Sequence, residues 1–525
     1  MRVVATWLDG FDMEAAERWE LPTLARLRET SAHAELDNGI AHLTGLSGEH
    51  LATGLDPDAA DRHSAVSFDT SDYSIIQDGA LRPVVFGGVD TVVLDPCYFD
   101  LDGSSGRVRG VVDWGAHDPG GPRQSRPDDL LGEVEERFGV YPAKRWIYGT
   151  PWASPELCTT MGKELAGAVR TRGEIARWLI GERLPDWDLA FVGVSEAHSA
   201  SEGLFHGADP AHPLGDLPST PAAEAAIRGV YEEIDGFVAS LLEAAPDAVH
   251  VVFTMHGMGA NQSDVASMVL IGELMRRWSG DRTPDIDWPT DSNGVPQLEP
   301  GESWGGRVNT ALGNTAPLLT RMHKRLPRSA QKWLTAAGLD PAATQRAPHH
   351  LHWMPLMRHQ PHWSKMRAFA VPSFYDGRIR LNLAGREAAG MVQPGDYERV
   401  LDEIETMLRE CTDSRTGEPV IAEIERPLAD PLQAGPTEVD LVIHWAGVPL
   451  GLDHPTLGRI GPFPPRRTGG HTSPHGACFV HGAGIDAVDL GRRSSFDVIP
   501  TVFELVDQTP PWELSGSAIG VPIAT

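Results

Sequence analysis

At 525 residues, 41% hydrophobic and 22% charged, the chain has the composition of a soluble globular protein long enough for more than one core. Its net charge of -29 argues against binding bare nucleic acid or an anionic membrane surface, so an anionic small-molecule substrate would need a local positive centre such as a metal ion. The four cysteines, Cys97, Cys158, Cys411 and Cys478, form no CxxC pair and read as free thiols. The first nine residues are too short an apolar stretch for a signal peptide, and no run reaches the length of a membrane span, so the expectation is a cytoplasmic protein with no membrane partner.

The elements alternate along the chain. Val3–Leu8 reads as a short buried strand, and a helix starts near Pro22, with Leu24 and Leu27 three apart. A helix over about 155–182 precedes a strand at Leu189–Val194. A second helix over about 222–244 places Ile227, Val230, Tyr231, Ile234, Phe237 and Val238 at helical spacing, and a strand at Val249–Thr254 follows. Buried-type strands alternating with amphipathic helices predict an α/β fold with a doubly wound, mainly parallel sheet flanked by helices. Residues 275–368 are rich in Pro, Trp and basic side chains, and their strand pattern fades. They read as an inserted cap between the two parts of the core, 1–274 and 369–525. Beyond them come a strand at Ile379–Leu383, a helix near 396–410 and a strand at 440–445.

Ligands of such sheets gather at the carboxyl ends of the strands. Asp9, His198 and His256 all fall just after strand-like runs. Asp9 reads either as a cation ligand or as a loop or helix-capping carboxylate. Thr44 sits at a turn before a helix, where a hydroxyl serves as a nucleophile or as an ordinary cap. His198 and Glu202 are four apart, so on a helix both would face one ion; in a loop both would be solvated. His471 lies in a Gly-rich loop before a strand, as a ligand or a loop brace. The histidines at 349, 350, 352, 359 and 362 read as incidental features of a cap surface, and Arg380 and Arg386 as salt-bridge or packing residues.

Taken together, these segments resemble the alkaline phosphatase superfamily, most closely its nucleotide pyrophosphatase/phosphodiesterase branch. The first metal aspartate of that family falls on Asp9. Its threonine nucleophile, nine residues before a Thr-Gly pair, falls on Thr44, with Thr53-Gly54 and Pro57 in register. Its Ser-Asp-His-Gly-Met signature falls on Thr254-Met255-His256-Gly257-Met258, its late Gly-x-His on His471, and its C-terminal helix start on 496–502. The resemblance implies an alkaline phosphatase-like fold and a metal-dependent hydrolase of a phosphate ester, phosphodiester or related tetrahedral anion. Thr44 would carry the covalent intermediate. One or two divalent ions per chain, zinc by their ligands, would be held by Asp9, Thr44, His198, Glu202, His256 and His471. Three departures stand out. The family's Asp-x-x-x-His pair appears as His198 and Glu202. Met255 replaces a carboxylate ligand, which weakens the set of Asp9, Thr44 and His256 for a hard ion. The Asn often found near the nucleophile has no counterpart, Ser47 being the nearest polar residue. Two alternatives follow: a phosphoryl- or sulfuryl-group transferase using the same intermediate, and a degenerate, non-catalytic ligand-binding member.

Overall fold

The computed structural model describes residues 1–77, 82–117, 123–148, 154–281, 302–313 and 351–522, with 288, 290, 291, 293–296 and 298 between them. Contacts divide the chain into two compact units. One comprises Met1–His63, Gly79–Asn261 and Arg467–Thr525; the other comprises Ser64–Asp78 and Gln262–Arg466. This second unit is wider than the 275–368 stretch singled out by composition.

The first unit is built on a nine-stranded sheet. Its strands are β1 (Val3–Leu8), β2 (Ala32–Asp37), β3 (Thr91–Leu94), β4 (Val108–Val112), β5 (Gln124–Arg126), β6 (Leu189–Val194), β7 (Val249–Thr254), β8 (His475–His481) and β9 (Val488–Ser494), in the spatial order β9-β2-β8-β7-β1-β6-β3-β4-β5. The five strands β7-β1-β6-β3-β4 run parallel. β8 is antiparallel to both its neighbours, and β5 closes the far edge antiparallel. The expected mainly parallel α/β sheet is therefore present. Its central strands are buried along their whole length because their sequences, such as Val-Val-Ala-Thr-Trp-Leu in β1, offer apolar side chains to both faces.

Strand alternation divides those side chains between two cores. Val4 and Leu8 point to a core shared with the helices α1 (Pro22–Thr30), α2 (Pro155–Trp178), α3 (Glu196–Ala208) and α4 (Thr220–Ala244). Val3, Ala5 and Trp7 point to the opposite core, closed by α5 (Val498–Leu505) and by Leu51 and Ala52. α2 and α4 form the largest helix pair of the unit, and Gly162 is where they meet: a Cβ there would lie 2.6 Å from that of Ala226. Among the described residues no helix is long and apolar enough to cross a membrane.

The second unit contains a four-stranded antiparallel sheet of Ala368–Val371, Gly377–Leu381, Leu441–Trp445 and Ile421–Glu425, with the helix Tyr397–Arg409 beside it. Its buried arginines are structural: Arg380 pairs with Glu387 at 2.7 Å and Arg386 with Asp440 at 2.7 Å. His359 bonds Glu273 at 3.0 Å. His349 and His350 lie outside the described residues.

Candidate metal centre and nucleophile turn

β1 ends at Leu8, and the Asp9 N–H continues its ladder by donating to Val194 O at 2.9 Å. The chain then turns through Gly10 at φ +61°, and a Cβ there would stand 2.6 Å from His198 Cα. Only glycine suits both the left-handed backbone and that contact. The close approach seats the first turn of α3 on the end of β1. His198 Nδ1 thereby lies 3.0 Å from Asp9 Oδ2. The 196–208 segment is helical, so Glu202 falls on the face of His198, its Oε1 3.8 Å from His198 Nε2.

A third candidate donor comes from a turn that sequence patterning does not single out. His117 Nε2 lies 3.8 Å from Glu202 Oε1, and its ring stacks on His198 with centroids 3.6 Å apart. Ser199 Oγ donates to Ile147 O, so it accepts from His117 Nδ1–H at 3.1 Å, leaving the His117 Nε2 lone pair toward Glu202. Asp95 holds this turn by accepting from the N–H groups of Trp114 and Gly115, each at 2.7 Å. Arg172, fully buried, pairs with Asp95 at 2.8 Å and Glu196 at 2.9 Å and donates to Gly115 O. One buried ion network thus fixes both the His117 turn and the amino end of α3. His117, His198 and Glu202 place donor atoms within 4.8 Å of one another, and no other such group occurs among the described residues.

The fourth side comes from Gly469–Ser473. This segment is a strand rather than the loop expected, pairing antiparallel with Gly257–Ala260. Its glycines permit this: a Cβ on Gly469 would lie 2.2 Å from Ser201 O. His471 Nε2 lies 2.8 Å from His198 Nε2, with its ring centroid 4.4 Å from that of His256. The preceding residues are braced from below. Thr468 N–H donates to Glu202 O at 2.9 Å, His212 Nε2 donates to Thr468 O at 2.8 Å, and His206 Nδ1 meets Thr468 Oγ1 at 3.2 Å. Arg467 is consequently directed at Glu202, with which it forms a buried ion pair. Sequence reasoning missed both His117 and Arg467. The available signals were a histidine just beyond a short strand and an arginine two residues before the Gly-Gly pair.

Thr44 and His256 belong to a neighbouring turn. Thr44 Oγ1 donates to Ala41 O at 2.8 Å, accepts from Leu46 N–H at 3.2 Å, and lies 3.3 Å from His50 Nε2. Thr44 is not the cap of the short helix Ser47–Thr53; Leu46 occupies that position. His256 Nε2 lies 3.3 Å from Ser47 Oγ. Burial pushes His256 and His50 down to about 4 and His471 well below the usual histidine range, nearby histidines adding to the effect on His256 and His471. These imidazoles are neutral near pH 7 and keep a lone pair for a proton or a metal. Met255, the residue at the expected carboxylate position, points into the core. It is 2% exposed and packs in the core that contains Phe253, Leu51, Ala52 and Cys478.

The six expected residues are all buried; five lie along one chain of contacts, Asp9 and Glu202 to His198, His198 to His471 and His471 to His256, while Thr44 meets Ala41, Leu46 and His50. Asp9 turns to His198, as an orienting carboxylate does for a metal-bound imidazole. The donor chemistry of His117, His198, Glu202 and His471, three imidazoles and a carboxylate, suits a zinc-like ion. Asp9, Thr44 and His256 each have other partners: Asp9 bonds His198, Thr44 bonds Ala41 and Leu46, and His256 lies against Ser47, while Met255 is packed in the core.

No family model matches the chain, and no curated protein matches it. Among solved structures it is similar to murine ectonucleotide pyrophosphatase/phosphodiesterase 5, at 10% identity over 98% of each chain with a TM-score of 0.47. The human protein of the same name gives 10% identity over 98% of this chain and 97% of that one, with a TM-score of 0.47. Phosphonoacetate hydrolase from Sinorhizobium meliloti 1021 in complex with phosphonoformate gives 13% identity over 97% of this chain and 95% of that one, with a TM-score of 0.47.

Proposed function

We propose that the chain is a one-metal hydrolase of the alkaline phosphatase superfamily type, acting on a small phosphate ester, phosphodiester or related tetrahedral anion through a covalent intermediate on Thr44. The observation that carries the proposal is the cluster of His117, His198 and Glu202 behind the carboxyl ends of β1 and β6, with His471 Nε2 against His198 Nε2 and the His471 ring against that of His256, which reaches the Thr44–Ser47 turn. These four residues would hold the ion. When bound it would supply a Lewis-acid centre for an anionic oxygen, in a chain whose net charge otherwise repels anions.

The protein's own groups would do the rest. Asp9 fixes the His198 ring by accepting from Nδ1–H, leaving Nε2 toward the cluster. Arg467 supplies a second, permanent positive charge beside Glu202 and would bind a substrate oxygen or hold the carboxylate in place. Thr44 would attack in line with loss of the leaving group, and water would then release the phosphoryl or sulfuryl group. Capture by an acceptor alcohol in place of water would make the same chemistry a group transfer.

A second reading is favoured by one contact. Ser47 is half-buried and sits 3.3 Å from a neutral His256, so Ser47 would be the nucleophile with His256 as its base. The test is to incubate the zinc-loaded protein with bis(4-nitrophenyl) phosphate, quench in acid and map the modified peptide by mass spectrometry. A phosphoryl-type adduct on Thr44, lost with turnover in Thr44→Ala, supports the proposal. An adduct on Ser47 moves the nucleophile, and turnover unchanged in Thr44→Ala removes Thr44 from the reaction.

A further inference from the structure

We propose that His50 is the base that accepts the Thr44 hydroxyl proton; this rests on the reading of Thr44 as nucleophile. A left-handed turn closes the short helix Ser47–Thr53. Gly54 adopts φ +70° and its N–H returns to His50 O at 2.7 Å, a left-handed cap that reverses the chain. The reversal brings Leu55 O to within 2.9 Å of His50 Nδ1. A carbonyl oxygen can only accept, so Nδ1 carries the proton and Nε2 the lone pair. Phe496 packs edge-on to the ring with centroids 5.6 Å apart, limiting its rotation. The lone pair is directed at Thr44 Oγ1, 3.3 Å away.

Thr44 Oγ1 has one proton and two acceptors within reach. Ala41 O is nearer, at 2.8 Å, and holds the hydroxyl at rest. An amide oxygen cannot take a proton outright, whereas a neutral imidazole can. Catalytic hydrogen bonds of unliganded sites are commonly long and tighten in the reacting complex. Leu46 N–H, donating to Oγ1 at 3.2 Å, keeps a lone pair of the oxygen engaged and restricts the direction of attack. Nucleophile, base and orienting acceptor are thus arranged in series: Thr44 Oγ1, His50 Nε2, and His50 Nδ1–H to Leu55 O.

The residues that would otherwise activate Thr44 are engaged elsewhere. Asp9 faces His198, His256 faces Ser47, and Met255 is part of the core. A hydroxyl without a second metal ion needs a proton acceptor of its own, and His50 is the one in contact. In the step itself the Oγ1–P bond forms as the bond from phosphorus to the leaving group breaks. The leaving group departs with that electron pair, and the Oγ1 proton passes to His50 Nε2. The resulting imidazolium then returns the proton to water.

An alkyl fluorophosphonate tests the assignment without the natural substrate, because attack on it releases fluoride and leaves a stable adduct. The zinc-loaded full-length protein is treated with the probe and the labelled residue identified by mass spectrometry, with the labelling rate measured for wild type, His50→Gln and Thr44→Ala. The expected result is an adduct on Thr44 and, in His50→Gln, a rate lower by about 100-fold or more, with zinc content and unfolding midpoint retained. His50→Gly with added imidazole provides the second readout, and recovery of labelling by the free base is expected. Wild-type labelling rates in a folded His50→Gln, or no recovery by imidazole in a folded His50→Gly, overturn the role of His50 and leave Thr44 standing. Absence of label on Thr44 in the wild type overturns the nucleophile and the base together.

Discussion

Met255→Asp restores the carboxylate that the motif resemblance calls for, and the structure predicts what it costs. The side chain is 2% exposed and shares a core with Phe253, Leu51, Ala52 and Cys478. Truncating a buried methionine costs about 2–5 kcal/mol through lost burial and the space left behind. A carboxylate placed there adds a desolvation penalty or becomes protonated. The metal-free variant should therefore be less stable than wild type by about 3–5 kcal/mol. If the new carboxylate recruits an ion with Asp9 and His256, zinc at 100 times its dissociation constant returns about 2.7 kcal/mol beyond whatever it gives wild type. Urea unfolding with chelator and with zinc, alongside zinc stoichiometry, separates the contributions. A chelated variant within about 0.5 kcal/mol of wild type, the range of an ordinary surface substitution, would refute the packing argument. A large loss with no recovery and no added zinc means that the carboxylate reaches no ion. In that case the absence of a second metal is not a matter of this residue alone.

Gly10→Ala should destabilise the fold by about 2–4 kcal/mol, because it forces a left-handed alanine against the backbone of His198. It should also weaken zinc binding, both read by calorimetry; a change in neither contradicts the close approach. His117→Ala should lower zinc affinity at least 10-fold in a competition titration, since it removes one of the clustered donors; unchanged affinity would exclude His117 from the site. The pH dependence follows from buried histidines. Burial pushes His206 down to about 3 and His50 to about 4, so the unfolded chain binds more protons below about pH 6.5 and stability falls with acidification from there toward the folded values. Asp12, raised to about 6 by burial, acts oppositely, favouring the folded state as pH falls from about 6 to 4. The net prediction is a loss of urea midpoint between pH 7 and 4.5 that is smaller in His206→Gln, which keeps a hydrogen-bonding side chain and does not titrate; an equal loss would place the acid sensitivity elsewhere.

The central strands were legible because β1, β6 and β7 are buried on both faces and carry near-continuous apolar sequences. The helices at 155–178 and 220–244 were legible through their spacing, the first ending in a wide turn at Leu179–Arg183 in place of continuing as regular helix. The strand after the His471 loop, β8, was legible too, whereas β2 and β9 were not, since polar residues interrupt their patterns and their place depends on pairing with distant strands. Asp9, Thr44, His198, Glu202, His256 and His471 could each be picked out as residues near strand ends or glycine turns. Their partners could not, because partnership depends on side-chain direction. Asp9 faces His198 and not Thr44, a consequence of the turn at Gly10. His117 is placed by Asp95 and Arg172, residues far from it in sequence that carry no motif. The register of Gly469–Ser473, and with it the approach of Arg467 to Glu202, depends on a pairing with Gly257–Ala260 that two glycine-rich segments do not advertise.

The most direct measurement is anomalous diffraction at the zinc edge from crystals of the protein loaded with zinc. The account predicts a single peak per chain, surrounded by His117, His198, Glu202 and His471, with Asp9 bonded to His198 behind it and no peak between Thr44 and His256. No peak at the four-residue cluster, or a peak held by Asp9, Thr44 and His256 in its place, would contradict it.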